Sequence, residues 1–241
     1  MANELRARIA FVSCGPATRP HYGSMAPVIP KDVSAEFHGL GLYGDNLYEI
    51  EGKKAAIVEK TKALVESHRW DGVMVTAAPP EVLNPGLLAD LKAALTAPVT
   101  TALNACVSAL RAFSASRVLL LTPFDERLNG LICAHLERRN IFAIAPRPFK
   151  ELHDAIKLKP EEVFEHAKRA LAEVGKVDAI YFQGAVLDPI KVLDRLESEL
   201  RITVIASNPA MLWFMLATLG LTYHIQGYGR LLSAWPPPGQ T

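Results

Sequence analysis

Three cysteines are the most reactive side chains of this sequence, and Cys14 is the one best placed to do chemistry. It follows an apolar run and precedes Gly15 and Pro16, a small and a stiff residue that let the backbone approach a ligand closely. A thiol acts as a base or a nucleophile when its pKa is lowered enough to give a thiolate. Cys14 is therefore a candidate catalytic residue, and the alternative is an inert thiol at a strand–loop corner.

The other two cysteines lie within predicted helices. Cys106 falls in the first turn of a helix that begins near Asn104, where the helix dipole lowers a thiol pKa, although ordinary packing explains the residue better. Cys133 has apolar neighbours in mid-helix and is expected in the core. Three cysteines in 241 residues do not suggest a disulfide framework, and no Cys or His spacing suggests a metal site. We expect neither a metal nor a cofactor.

The remaining polar candidates are weaker. Arg19 and Arg230 could clamp a carboxylate, because a guanidinium binds it through two hydrogen bonds, but solvated positions are the commoner fate of arginine. His21 lies in a loop that could close over a ligand, although a solvated loop is the commoner case. His38 could be a structural edge residue, and His224 lies near the C-terminal return. No Ser–His–Asp triad can be assigned from spacing, and GLGLYGD is neither a dinucleotide-binding GxGxxG motif nor a P-loop.

Composition excludes several classes of protein. Half of the residues are apolar, a fifth are charged and the net charge is +1, as is typical of a globular protein and not of a disordered one. No charge excess indicates nucleic acid or a membrane surface as a partner. The longest apolar stretch, residues 211–221, is too short to cross a bilayer, and the polar N-terminus is unlike a signal peptide. We expect a soluble, cytoplasmic homodimer, since symmetric dimers are the commonest oligomers.

Apolar runs of strand length alternate with runs of helical spacing along most of the chain. The predicted strands cover residues 8–13, 72–76, 99–102, 117–122, 141–145, 179–183 and 202–206. The predicted helices cover residues 48–68, 85–95, 104–113, 126–139, 160–174, 189–200 and 209–219. Continuous apolar strands alternating with helices are typical of a parallel sheet covered on both faces. The sequence therefore predicts an α/β fold.

The two halves of the chain resemble each other. RWDGVMVTAAPP at residues 69–80 and KVDAIYFQGAVL at residues 176–187 each place an Asp before an apolar strand and small residues after it. We interpret this as two similar flavodoxin-like lobes with parallel sheets related by a pseudo-twofold axis, the alternative being chance regularity. One lobe would contain residues 1–115 with the C-terminal return 220–241, and the other residues 116–219.

Ligands of open parallel sheets bind outside the carboxyl ends of the strands. The loops at those ends are therefore expected to line a site in the cleft between the lobes. They run through residues 14–16, 76–79, 123–124, 183–185 and 207–209. Thr76 and Gln183 occupy matching positions after the repeated strands. Thr76 is a weak acid that needs a neighbouring base, and Gln183 cannot titrate but can donate to an oxyanion or orient a water.

Four stretches of the chain resemble the aspartate/glutamate racemase superfamily, and most of all its branch of arylmalonate decarboxylases and maleate cis-trans isomerases. They are GLGL at residues 39–42, TTALNACVSALRAFSASRVLLLTPF at 100–124, SNPA at 207–210 and GYGRLL at 227–232. Their order and spacing cover nearly the whole chain. The resemblance implies a two-lobed enzyme without a cofactor, in which facing cysteines, one per lobe, move a proton at the carbon next to a carboxylate.

This sequence departs from that pattern at both cysteine positions. The resemblance places them at Thr76 and Gln183, so it does not support racemisation by two thiols. It also implies a carboxylate pocket built from hydroxyls and backbone amides, and a tyrosine where this chain has Phe124. The predicted substrate-binding residues are Ala77, Ala78, Phe124, Gly184, Ser207 and Asn208. The predicted catalytic residues are Cys14, Thr76 and Gln183.

These residues predict an enzyme that acts on a small carboxylic acid. A decarboxylase or other lyase, or an isomerase, would pass through an enediolate-like intermediate, which needs a base and preplaced hydrogen-bond donors. A hydrolase or hydratase that uses a water or Cys14 is one alternative. A carboxylate-binding protein without catalysis is the other.

Overall fold

The computed structural model describes residues 4–16, 20–147, 149 and 152–239, and in these residues eight strands form two parallel sheets. The first sheet has the order β2-β1-β3-β4, with β1 (Ala7–Ser13), β2 (Val33–Gly39), β3 (Gly72–Val75) and β4 (Val99–Thr101). The second has the order β6-β5-β7-β8, with β5 (Arg117–Leu121), β6 (Phe142–Ile144), β7 (Ala179–Phe182) and β8 (Thr203–Ala206). The matching orders confirm the predicted α/β fold with two similar lobes.

Helices connect the strands. The first half contains the 3₁₀ helices Pro20–Val28 and Leu47–Ile50, α1 (Lys54–His68), α2 (Pro79–Val82), α3 (Leu87–Ala94) and α4 (Ala102–Ala112). The second half contains α5 (Glu126–Glu137), α6 (Leu152–Ile156), α7 (Pro160–Val174), the 3₁₀ helix Ile190–Val192, α8 (Leu193–Leu200), α9 (Ser207–Thr218) and α10 (Arg230–Ala234). Within the described chain, no helix has the length and apolar character that a bilayer span requires.

The same hydrogen bonds fix the start of the central strands in both halves. Asp71 Oδ2 accepts from Arg8 N at 2.7 Å, and Asp71 N donates to Arg8 O at 2.7 Å. In the second sheet, Asp178 Oδ2 accepts from Arg117 N at 2.8 Å, and Asp178 N donates to Arg117 O at 2.7 Å. The Asp that begins each repeated sequence therefore aligns β3 with β1 and β7 with β5.

Two helices, one from each half, cross between the sheets. α4 packs along α9, and α9 also packs on β3 and β4 of the first sheet, while α4 packs on β8 of the second. The contact is so close that a Cβ on Gly72 would lie 2.3 Å from Met215 Sδ. The two halves therefore share one core. The lobe boundaries drawn at residues 115/116 and 219/220 stay a prediction.

Three of the differences from the sequence prediction have a local physical reason. β2 is missing from the predicted strands, because VSAEFHG mixes polar and apolar side chains as a half-buried edge strand does. The helix predicted over residues 48–68 is wrong at its start, since the chain turns at Gly52 (φ +73°) and α1 begins at Lys54. The short α2 lies where a loop was expected, because Pro79 and Pro80 supply the fixed φ of a first helical turn.

Candidate functional site

The loops that follow β3 and β7 have the same backbone course. The backbone N–H of Thr76 and that of Gln183 each donate a 2.9 Å hydrogen bond to the neighbouring central strand. The next residue in each loop has a positive φ, +65° at Ala77 and +108° at Gly184. A positive φ is costly for a residue other than glycine, so the Ala77 turn is a strained backbone at a predicted binding residue.

Three of the predicted substrate-binding residues lie together at the carboxyl end of the second sheet. Gly184, Ser207 and Asn208 line a hollow of about 10 Å³, whose wall also includes Asp188. Gly184 N donates to Ser207 Oγ at 3.4 Å. A volume of this size holds about one water molecule. The hollow is therefore closed to a larger ligand in this conformation.

The other predicted site residues are not on the wall of this hollow. Phe124 is close to it, because a Cβ on Gly184 would lie 3.2 Å from Phe124 Cζ. In the first half, Cys14, Thr76 and Ala78 are all buried. The structure therefore groups Gly184, Ser207 and Asn208 around one small hollow. Gln183 is buried away from its wall, and the first-half residues lie at the end of their own sheet, all buried except the half-buried Ala77.

The cysteines lack the property that thiolate chemistry needs. Burial raises the pKa of Cys14 to about 12. Burial likewise raises the pKa of Cys106 to about 12, and a hydrogen bond with Tyr181 offsets only part of that effect. The pKa of the half-buried Cys133 is raised as well, mainly by burial. These thiols are therefore neutral near neutral pH, which is the reverse of the lowered pKa that a reactive cysteine requires.

Gln183 is fully buried, and its amide is only half satisfied. Tyr181 OH donates to Gln183 Oε1, while Gln183 Nε2 has no hydrogen-bond partner among the described residues. A buried donor without a partner costs about 1–3 kcal/mol. A preplaced donor of this kind at the end of a strand is suited to an anionic oxygen.

Two carboxyls at matching positions of the repeat, the buried Glu81 and the half-buried Asp188, are absent from the predicted site. Glu81 follows the repeated segment of the first half, and Asp188 follows that of the second. Burial is the main cause of the raised pKa of both groups. Glu81 accepts a hydrogen bond from Thr101 Oγ1, and Asp188 Oδ1 accepts one from Ile190 N at 3.0 Å. Extending the alignment of the two repeats by one residue would have paired these acids.

A second cavity, of about 420 Å³, lies between α2, α3 and α5. Its lining includes Glu81, Lys92, His135 and Arg139, and none of the predicted site residues. Burial, aided by Arg139, lowers the pKa of His135 to about 3. His135 Nε2 lies 3.7 Å from Glu81 Oε1 but has no hydrogen-bond partner in the described part of the chain. The pair is therefore not an ion pair, because burial disfavours the charged form of both groups.

Side chains next to the Phe124 loop join the two halves. Tyr48 OH donates to the carboxylate of Asp125 at 2.7 Å. Arg127 binds Glu51 through two hydrogen bonds, of 2.7 and 3.1 Å, and its guanidinium lies 4.7 Å from the centroid of the Tyr48 ring. These contacts hold the start of α5 against the Leu47–Ile50 helix of the first half.

Arg230 and His224 do not line the hollow. Arg230 N donates to Glu197 Oε2 at 2.6 Å, so the C-terminal return is tied to α8. His224 lies in a surface loop, and its Nδ1 donates to a backbone carbonyl 3.0 Å away. Arg19 and the side chain of His21 lie outside the described residues.

A family comparison covers most of these elements. Residues 81–232, which include β4, the whole second sheet and the hollow, match the family model of arylmalonate decarboxylase. The chain belongs to the arylmalonate decarboxylase family. This confirms the resemblance to that branch of the aspartate/glutamate racemase superfamily. Gln183 lies within the matched segment, and Thr76 lies just before it.

Two maleate isomerases are similar to this member of the arylmalonate decarboxylase family. That of Nocardia farcinica (strain IFM 10152) is 32% identical over 137 residues, which cover 56% of this chain and 54% of that protein. That of Alcaligenes faecalis is 27% identical over 144 residues, which cover 58% of this chain and 56% of that protein. The match to this chain thus spans about half the length of these relatives.

Solved structures share the fold over nearly the whole chain. Unliganded arylmalonate decarboxylase has a TM-score of 0.81 and 20% identity, and the match covers 95% of this chain and 99% of that one. The maleate isomerase of Pseudomonas putida S16 has a TM-score of 0.75 and 18% identity, with the same coverage. At this identity the likeness shows the fold alone, and it confirms the two-lobed architecture.

Proposed function

We propose that this member of the arylmalonate decarboxylase family is an enzyme that acts on a small carboxylic acid at the hollow beyond β7 and β8. The proposed reaction is a decarboxylation or an isomerisation through an enediolate-like intermediate. The observation that carries the proposal is the unpaired Nε2 of Gln183, a buried donor next to the Gly184 turn. Its relatives are named for reactions of malonates and maleate, which favours a carboxylate as the guest.

The donors of the second half would stabilise the charge that the reaction creates. When the carbon next to a carboxylate gains an electron pair, the negative charge spreads onto the two carboxylate oxygens. The hydroxyl of Ser207, which is on the wall of the hollow, would donate to those oxygens, which is the role of an oxyanion hole. Gln183 Nε2 is buried and not on that wall, so it would join Ser207 only once the hollow has opened. The strained Ala77 turn and Thr76 would hold the second carboxylate from the other half.

Asp188 is the group we assign to the proton. Its carboxyl is on the wall of the hollow, and desolvation raises its pKa above the ordinary value of an aspartate. In a decarboxylation, the bond to the leaving carboxylate breaks, carbon dioxide departs and the electron pair stays on the enediolate. The protonated carboxyl of Asp188 then gives its proton to the carbon and is reprotonated from water. Raised pKa values are how carboxyls come to serve as acids near neutral pH.

The substrate would have to widen the hollow. Its present volume of about 10 Å³ accommodates a water and not a dicarboxylate. Loops over strand ends are the segments that commonly open and close on a ligand. We therefore propose a closed resting conformation that opens for the substrate.

The test is turnover of aryl- and alkylmalonates, maleate and amino acids in deuterated water, followed by proton NMR. We expect loss of carbon dioxide or deuterium exchange with at least one of them. Asp188→Asn should lower the rate by about 10²–10⁴-fold, and Gln183→Leu by about 10²–10³-fold. The rate should fall as the pH rises through the raised pKa of Asp188, since only the protonated carboxyl can supply the proton.

Glu81→Gln is the matched control, because Glu81 is the equivalent buried acid and lies away from the hollow. It should keep the rate. Absence of turnover and of exchange with every compound would refute the enzyme. Unchanged activity in Asp188→Asn would refute the role of Asp188 as the proton donor but not the proposal that the protein is an enzyme.

A carboxylate-binding protein without catalysis is the second candidate, and the neutral, buried thiols favour it. Thermal stabilisation by malonates or maleate without turnover would support it, because a ligand of the folded state raises the melting temperature. Residence in the cytoplasm and assembly into a homodimer stay predictions.

A further inference from the structure

A cluster of two histidines and a glutamate lies at the outer edge of the first sheet. Glu36 and His38 alternate along the edge strand β2 and so project from the same face. His68 is the last residue of α1. One ligand atom from each of the three residues lies within 4.8 Å of the others. We propose that Glu36, His38 and His68 bind a Zn²⁺ ion.

The hydrogen bonds of the cluster leave nitrogen lone pairs for an ion. His68 Nδ1 lies 3.0 Å from Leu64 O, and a carbonyl only accepts, so in the neutral ring Nδ1 carries the hydrogen and Nε2 keeps its lone pair. His38 Nε2 lies 3.1 Å from Glu36 Oε2, and an ion would replace the hydrogen that these two atoms share. A metal-binding histidine commonly donates its other ring nitrogen to a carbonyl, as His68 does.

Aromatic packing already orients the ligands. The ring of His68 stacks on Trp70 with centroids 4.6 Å apart, and the ring of His38 lies 4.7 Å from His68 and 4.8 Å from Trp70. Trp70 is itself buried in the core. The cluster is therefore built on a rigid support, so a bound ion would meet ligands of restricted motion.

The ligand set selects the metal. Two imidazole nitrogens and one carboxylate oxygen suit Zn²⁺, with water in the fourth position, whereas Ca²⁺ and Mg²⁺ prefer oxygen alone. The side chains of His38 and Glu36 are 25% and 30% exposed, so an ion and its water can reach them. Arg8 is the facing cation, but its guanidinium lies 3.5 Å from Glu36 Oε1 and so leaves Oε2 to the ion.

The ion would join the edge strand to the end of α1. β2 pairs on one side only, with β1, and its other edge has no strand beside it within the described sheet. Zn²⁺ bound to β2 and α1 would tether that edge strand. The expected consequence is a higher melting temperature in the presence of zinc.

The experiment is a titration of the metal-stripped full chain with Zn²⁺ in competition with a chromophoric chelator. We expect one Zn²⁺ ion to bind per chain. With Co²⁺ as a probe, we expect the visible absorption of a metal ion with a low coordination number. Removing a residue that only hydrogen-bonds to a metal ligand typically weakens metal binding by about 10–100-fold. Glu36→Gln and His38→Ala each remove a ligand itself, so each should weaken Zn²⁺ binding by more than that. Glu36→Gln keeps the shape of the side chain, so it tests binding without unfolding the edge.

His224→Ala is the matched control, since His224 is an exposed histidine outside the cluster. It should bind Zn²⁺ like the wild type. Failure of the wild type to take up one ion, or equal affinity in Glu36→Gln and His38→Ala, would overturn the proposal. The test is independent of the enzymatic activity proposed for the hollow.

Discussion

Ala77 and Gly184 occupy the same positive-φ position in the loops that follow β3 and β7. Exchanging alanine and glycine there should therefore affect the stability of the protein differently at the two positions. Gly184→Ala should destabilise the protein, because φ is +108° and the new Cβ would lie 3.0 Å from Pro123 Cδ. The left-handed conformation costs an L-residue about 1–2 kcal/mol, and overpacking costs about 1–3 kcal/mol. The expected loss is about 2–5 kcal/mol, a large part of the stability of a typical domain, which is about 5–15 kcal/mol.

Ala77→Gly should have the opposite sign. Ala77 already carries a Cβ at φ +65°, and glycine removes the strain of about 1–2 kcal/mol. Glycine also gives the unfolded chain more freedom, which costs about 0.4–1 kcal/mol. The free energy of unfolding should therefore rise by between zero and about 1.6 kcal/mol.

Urea denaturation followed by circular dichroism measures both changes, and an unchanged slope shows that the unfolded states are comparable. Gly130→Ala is the control, because Gly130 lies within α5 and its Cβ would meet nothing within 4 Å. It should stabilise the helix by about 0.5–1 kcal/mol. A Gly184→Ala protein as stable as the wild type would refute the assignment of that turn.

Three further predictions concern the core. Gly72→Ala should destabilise the protein by about 1–3 kcal/mol, because the new Cβ would press on Met215. The same substitution should cost less in a Met215→Ala background, where that side chain has been shortened. Ellman's reagent should not label Cys14 or Cys106 in the folded chain but should label both in urea, since burial raises the pKa of each to about 12. Burial lowers the pKa of His135 from 6.5 to about 3. The free energy of unfolding should therefore decrease as the pH falls between those values, by up to about 1.4 kcal/mol per pH unit.

The sign for His135 follows from which state takes up the proton. Below about pH 6.5 the unfolded chain binds it, whereas the folded chain does not until about pH 3, so acid favours unfolding. Comparing acid denaturation of the wild type with that of His135→Gln isolates this group, and His224→Gln is the exposed control. Equal acid sensitivity in all three would contradict the burial argument. Rapid labelling of folded Cys14, or independent effects of Gly72→Ala and Met215→Ala, would contradict the other two predictions.

The architecture could be predicted because the buried strands are almost purely apolar. The strands β5 (RVLLL) and β7 (AIYF) can be recognised from their apolar sequences alone, without knowing which strands they pair with. The Asp before each repeated strand indicates the duplication. The edge strand β2 could not be predicted in this way, because one face of an edge strand meets solvent and its sequence keeps polar residues such as Glu36 and His38.

The site was less predictable for a physical reason. Spacing places Gly184 and Ser207 at strand ends, and the structure brings them together around the hollow. The protonation of a thiol depends on burial, which spacing does not give, so the raised pKa of Cys14 could not be foreseen. The convergence of His38 with His68 depends on where α1 crosses the edge strand, and no local pattern encodes that crossing.

The exchange of α4 and α9 between the sheets has a consequence for the origin of the chain. α4 and α9 pack on each other and each packs on both sheets, so a polypeptide of half this length would expose an apolar helix face. Such a precursor would persist only as a pair of identical molecules with reciprocally swapped helices. In a single polypeptide the two strand-end loops need not be identical, and this chain has alanine at the positive-φ position of one and glycine at that of the other.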